Sequence, residues 1–216
     1  MPRWSFGRIY IPDSRDAKYP IRKQSTRRTF RYWWANGWWG DQKNTPQCVA
    51  YALVHWLEDG PVTQRQAVPC IKPATVYRRA QELDEWPGEN YEGTSVRGGA
   101  KALQEWGYIK EYRWTSKLSV LISTILESGP VVVGTSWYDK MSYPDDSGLI
   151  HIAGELVGGH AYLINGVNCQ TELFRFKQSW NRNWGRNGHG YISFDDMRKL
   201  IEDEDGEVCQ AIEVAH

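Results

Sequence analysis

Cysteine is scarce in this chain, with four residues among 216, at positions 48, 70, 169 and 209. They are widely spaced and form no CxxC pair, which removes the common zinc and redox motifs and argues against a disulfide framework. A reducing compartment, the cytoplasm, is the expectation. Net charge is missing too, because 26 Lys and Arg balance 26 Asp and Glu, so bulk electrostatics gives no reason to expect nucleic acid as a partner. No run approaches the ~18 apolar residues of a membrane span. The opening MPRWSFGRIYIPDSR lacks the apolar core of a secretory signal, so either the mature chain begins here or the protein is not exported by that route. Internal repeats and low-complexity stretches are absent as well. Aromatics, by contrast, are plentiful, with 12 Trp and 12 Tyr, and we read them as core and groove lining before sugar or base stacking.

The first ~45 residues show no clear periodicity and read as irregular but tied down. Arg22, Lys23, Arg27, Arg28 and Arg31 form a solvated basic face, and Trp33, Trp34, Trp38 and Trp39 are too apolar for a free tail. From residue 46 the spacing of Val49, Ala52, Leu53, Trp56 and Leu57 predicts a helix, with Pro46 in its first turn and Gly60 and Pro61 ending it. Further helices are expected from Pro73 through Leu83, from an N-cap at Ser95 to Gly107, and from Leu118 to Gly129. Beyond Pro130 the texture changes to strand-like runs from 131, 160, 173, 189 and 208, interrupted by a short helix from 194. Helices first and strands second predict an α+β class, with two subdomains and a cleft between them.

Cys48 opens the best-defined helix, where free N–H groups and the dipole favour a thiolate. A thiol nucleophile needs a base that is close in space but remote in sequence. His151 and His160 are candidates; His160 is favoured because Gly158 and Gly159 leave room beside it and it opens an alternating strand. His55, on the same helix as Cys48, reads as a packed or surface residue, while His189 and His216 have no partner that the sequence names.

Three segments resemble the papain-like cysteine peptidases. DQKNTPQCVAYAL is similar to the nucleophile segment, in which a glutamine six residues before the cysteine completes the oxyanion hole, here Gln42. GGHAYLINGV resembles the strand bearing the catalytic histidine, and FKQSWNRNWGRNGHGYISF the motif in which an asparagine precedes Ser-Trp and a Gly-rich turn. They occur in the family's order, with His160 and Gln178 lying 112 and 130 residues after Cys48, and the likeness spans roughly residues 30 to 214. The resemblance implies a single domain over 1–216, with a helical subdomain over about 46–130 and an antiparallel β subdomain over about 131–216 joined by part of 1–35.

It also implies the chemistry. Cys48 would be the nucleophile, His160 base and then acid, Gln178 the group orienting His160, and Gln42 with the Cys48 N–H the oxyanion donors. Gly93, Thr94, Gly159, Trp180 and Trp184 would line the site of an extended peptide or protein substrate, with Trp180 shielding the His160–Gln178 contact. No metal, cofactor, nucleic acid or membrane is expected, and the oligomeric state is not readable. Three departures matter. KNTPQ at 43–47 replaces the family's Gly- and Cys-containing run, so Thr45 stands where a disulfide partner is usual, and Val49 replaces an aromatic. Only 47 residues precede Cys48, so control by an inhibitory prodomain looks unavailable. Gln178 stands where the family has asparagine. Two alternatives therefore remain: a papain-fold binding protein with impaired catalysis, or another thiol enzyme such as a cell-wall amidase or an acyltransferase.

Overall fold

A computed structural model of the chain describes residues 5–33, 38–60, 71–86 and 91–214; Trp34, Cys70 and His216 lie outside them. Helix α1, Cys48–Asp59, buries the apolar stripe that predicts it and closes with the Gly60 N–H on the Trp56 carbonyl at 2.7 Å. Helix α2, Pro73–Leu83, carries proline in its first turn, where the missing N–H costs nothing. Helix α3, Val96–Glu105, is capped by Ser95, whose hydroxyl accepts the Gly98 N–H at 2.9 Å; Gly107 follows its end at φ 76°. Helix α4 is Leu118–Glu127, and α5, Phe194–Arg198, continues into a π turn over Lys199–Asp203.

The strands are β1 Phe30–Tyr32, β2 Ile109–Thr115, β3 Val131–Tyr138, β4 Leu149–Ile150, β5 Leu156–Asn168, β6 Leu173–Lys177, β7 His189–Ser193 and β8 Glu207–Glu213. They form one sheet in the order β2-β8-β3-β5-β6-β7-β4, with β1 on β5, antiparallel except between β4 and β7. β2 falls within the segment read as helical. It leaves α3 at Gly107 and pairs with β8, Trp114 opposite Cys209.

Strand alternation places this sheet between two apolar cores. On one face Val131, Val133, Trp137, Tyr162, Ile164 and Val208 pack with α4 and α5. On the other Val132, Ala161, Leu163, Cys209 and Ala211 pack with α1 and α3. β5 contributes to both cores, so α1 lies against the strand that carries His160. The early residues are irregular but held, the Ile21 N–H by the Trp114 carbonyl at 2.8 Å and the Trp33 indole N–H by the Ile125 carbonyl at 2.6 Å. Among the described residues no helix is long and apolar enough to cross a membrane.

Candidate active site

Cys48 is the first residue of α1 and is fully buried, with backbone groups of Ala161, Gly7 and Val49 near enough to favour its thiolate. Ala161 follows His160 on β5, so helix start and strand bring the two sequence-distant residues to one place. His160 is also fully buried, and its Nε2 lies 2.7 Å from the Gln178 carbonyl oxygen Oε1. The oxygen must accept, which puts the proton on Nε2 and leaves Nδ1 unprotonated; Nδ1 is buried with no hydrogen-bond partner. β6 stops at Lys177 so that Gln178 can turn inward, its N–H donating to the Gly188 carbonyl at 3.1 Å. Trp180 stacks on the His160 ring at 4.9 Å and 24°, and Trp184 meets Trp180 edge-on at 5.4 Å.

Gln42 is held beside this group. Its N–H pairs with the Ser179 carbonyl at 2.8 Å, its Oε1 accepts the Ser179 hydroxyl at 2.5 Å, and its Nε2 donates to the Thr45 carbonyl at 2.8 Å. A second acceptor on Nε2, at 3.0 Å, is the carbonyl of Ser5. The amide that sequence assigns to an oxyanion thus already faces a main-chain carbonyl oxygen.

That carbonyl belongs to a strap, residues 5–9, lying along the site. Its main chain bridges both candidate substrate edges, with the Thr94 N–H on the Gly7 carbonyl at 2.9 Å, the Ile9 N–H on the Thr94 carbonyl at 3.0 Å and the Arg8 N–H on the Gly159 carbonyl at 3.0 Å. Arg8 and Thr94 pair in parallel. Phe6 meets His160 edge to face, with the ring centres 5.8 Å apart. Contact is backbone to backbone: a Cβ on Gly159 would lie 2.2 Å from the Arg8 carbonyl oxygen, and one on Gly7 2.0 Å from that of Pro46. The Thr94 edge is braced from α2, its hydroxyl donating to Asp84 at 2.8 Å and the Gly93 N–H to the Tyr77 hydroxyl at 2.8 Å. No inhibitory prodomain was expected from the sequence; residues 5–9 nevertheless lie along the groove, hydrogen-bonded to both of its candidate edges.

Burial reverses the expected electrostatics. Burial pushes the Cys48 thiol above its ordinary range, outweighing the backbone groups of Ala161, Gly7 and Val49 and the nearby Arg8 charge. Burial likewise lowers His160 to about 4, against the opposing Gln178 bond. A helix start favours a thiolate, but removing water from both groups costs more. Covered, the pair is neutral. Cys169 and Cys209 are raised by burial too, and Cys48, Cys169 and Cys209 are free thiols.

The other histidines lie elsewhere. His151 is exposed, its Nδ1 3.8 Å from Asp196. His55 is buried in α1 and accepts the Gly40 N–H at 3.3 Å. His189 packs edge-on to Trp39 at 5.2 Å and is lowered to about 3, by burial first and then by neighbouring cations. Sequence reasoning passes over Ser5, Gly7, Arg8 and Glu207. The only signal available for the first three was a glycine between Phe6 and Arg8.

No family model matches the chain. A stretch of 80 residues, 36% of this chain, is 31% identical to cathepsin B-like cysteine proteinase 4 of Caenorhabditis elegans and spans about a quarter, 24%, of that protein's length. Among solved structures, xylellain, a cysteine protease from Xylella fastidiosa, matches with a TM-score of 0.79 at 19% identity over 99% of this chain and 98% of that one. Procathepsin B S9 from Trypanosoma congolense matches with a TM-score of 0.72 at 13% identity, over 97% and 87%. The fold is that of the papain-like cysteine proteases.

Proposed function

We propose that this papain-like chain is a cysteine peptidase, present here in a latent form covered by its own residues 5–9. The observation that carries the reading is the His160–Gln178 bond at 2.7 Å beneath Trp180, set beside a cysteine at a helix start. Gln178 holds the Nε2–H tautomer, so Nδ1 is the atom free to take the Cys48 proton. Once the strap leaves, water returns to both groups and the Cys48 thiolate with His160⁺ becomes accessible.

Sulfur would then attack the scissile carbonyl carbon, forming the C–S bond while the carbonyl π electrons move onto oxygen. The Gln42 Nε2–H and the Cys48 backbone N–H face that oxyanion. Collapse expels the amine, which takes the proton from His160 and leaves a thioester on Cys48. Water, deprotonated by His160, hydrolyses the thioester and restores the thiol. An extended peptide would use the edges the strap now uses, Thr94 and Gly159.

One observation favours the impaired binding protein, namely that Cys48 and His160 are both fully buried and neutral. Treatment with a peptide-based epoxide separates the readings. Mass spectrometry should find Cys48 alkylated in a variant with the strap loosened, with casein cleaved and peptidoglycan untouched. An unlabelled Cys48 in that variant would sink the peptidase reading.

A further inference from the structure

The strap meets Thr94 through the two main-chain groups of that residue, its N–H and its carbonyl. The residue before it, Gly93, sits at φ 105°, and a Cβ there would lie 2.6 Å from the Gly7 carbonyl oxygen. Glycine is therefore required where the strap approaches. Glycine is also the residue with most freedom to lose, and a ligand that must order a drifting edge as it binds does so more weakly.

Helix α2 removes that freedom. Tyr77 and Gln81 lie within it and Asp84 caps its end, four and three residues apart on one side of the helix. The Gly93 N–H donates to the Tyr77 hydroxyl at 2.8 Å, and Gln81 Nε2 donates to the Gly93 carbonyl at 3.2 Å. The same amide nitrogen lies 2.9 Å from the Tyr91 carbonyl and 3.2 Å from the Tyr77 hydroxyl, so it fixes the loop at more than one point. Gln81 is buried, 5% exposed, where an amide is retained only if it is bonded. Asp84 accepts the Thr94 hydroxyl at 2.8 Å and the Tyr91 hydroxyl at 2.6 Å, tying the Thr94 side chain to α2 as well. The main-chain groups thus divide: both of Gly93 go to α2, and both of Thr94 go to the strap. We propose that Tyr77, Gln81 and Asp84 are positioning residues for the substrate, presenting Thr94 as a preformed two-bond edge to the main chain of an extended peptide. They act through Gly93 and Thr94 and not on the reacting atoms.

The inference rests on the peptidase reading, and its test keeps the two apart. Gln81→Met and Tyr77→Phe nearly preserve side-chain size and remove the polar atom that serves Gly93. In the otherwise wild-type chain each should speed iodoacetamide labelling of Cys48 ~5–30-fold, the range for one or two main-chain bonds, because the strap depends on the same edge. Arg8, whose Nε donates to Glu207 at 3.0 Å, still holds the strap and limits the effect. Arg79→Met is the control. It strips α2 of its ion pairs with Glu82 and Glu105 and should leave the Cys48 rate within about twofold, since Arg79 bonds to neither Gly93 nor Thr94. An unchanged rate in both brace variants, or equal acceleration by Arg79→Met, would overturn the assignment. Activity is read with the strap lifted by Gly7→Ala, whose Cβ would stand 2.0 Å from the Pro46 carbonyl oxygen. There Gln81→Met should raise KM ~5–30-fold for a fluorogenic peptide with kcat within about threefold, because the edge binds ground and transition states alike. A fall in kcat at constant KM would count against a role in positioning substrate. Calorimetry of the same peptide with Cys48→Ala added measures the edge without catalysis. Binding weakened by Gln81→Met, with no turnover in any variant that keeps Cys48, supports the brace and sinks the peptidase; equal binding sinks the brace. Should Gln81→Met fail to fold, Tyr77→Phe carries the same criteria.

Discussion

Gly7→Ala should switch the covered form to an open one. Gly7 has an ordinary negative φ, so alanine fits the backbone there, and the whole effect comes from contact. The new Cβ would lie 2.0 Å from the Pro46 carbonyl oxygen and 2.4 Å from its carbon. Both atoms are main chain in the turn leading into α1, and neither can swing aside as a side-chain tip would. Relief requires the strap to lift by more than an ångström, which breaks bonds that now measure 2.9 to 3.0 Å to Thr94, Gly159 and Gln42. Losing two to four of them at ~1 kcal/mol each raises the open population ~30–1000-fold. Alkylation of a buried thiol reports that population when closing is fast. Iodoacetamide labelling of Cys48, followed by peptide mass spectrometry, should accelerate by that factor, while Cys209, buried in the second core, keeps its wild-type rate. A Cys48 rate within about threefold of wild type, with circular dichroism unchanged, would refute the claim that residues 5–9 control access.

Three further outcomes are expected, the activity measurements being made in the Gly7→Ala background. Gln178→Asn shortens the stem by roughly 1.5 Å, too much for a bond now 2.7 Å long; kcat/KM should fall ~10–100-fold on a fluorogenic peptide, and full activity would mean that something else orients His160. Gln42→Ala should lower kcat ~100–1000-fold with KM little changed, as for a donor aimed at transition-state charge; turnover within threefold would remove Gln42 from that role. His160 is lowered to about 4 from 6.5 in the folded state, so the unfolded chain binds the extra proton between those values. Its stabilisation is complete above ~6.5 and is lost as pH falls through about 4, on the order of 3 kcal/mol. Thermal melts from pH 7 to 4 should drop more steeply for wild type than for His160→Gln, and equal slopes would contradict the burial argument.

Most of the helices were legible because their signals are local. The stripe from Val49 to Leu57, the Ser95 cap and the Gly107 stop each act within a few residues, and each is found where the pattern puts it. β2 was not, because it lies at the sheet edge with mostly half-exposed residues, so IKEYRWT shows no clean alternation. Gln178 lies 2.7 Å from His160, a contact the sequence could suggest because a carboxamide oxygen in the right turn needs only reach. The protonation of Cys48 was expected with the wrong sign. Sequence position reveals a helix dipole, whereas the opposing desolvation depends on what covers the thiol. The strap carried almost no signal, because it is held by main-chain bonds that any residue can make; a glycine permitting close approach is its one trace.

Closure rests on an ion pair as well as on main-chain bonds. When the strap lifts, Arg8 leaves with it and Glu207 is stranded in a pocket built for a cation. Breaking a buried pair by removing one partner costs ~3–5 kcal/mol, more than any one of the strap's main-chain bonds. Lifting is therefore resisted chiefly at Arg8. Arg8→Ala in the wild-type chain removes the pair from the closed form and leaves Glu207 without a cation in both forms, so opening no longer carries that cost. Iodoacetamide labelling of Cys48 should then accelerate by more than ~100-fold, while Cys209 keeps its wild-type rate. A Cys48 rate within about threefold of wild type, with circular dichroism unchanged, would show that the main-chain bonds alone hold the strap down.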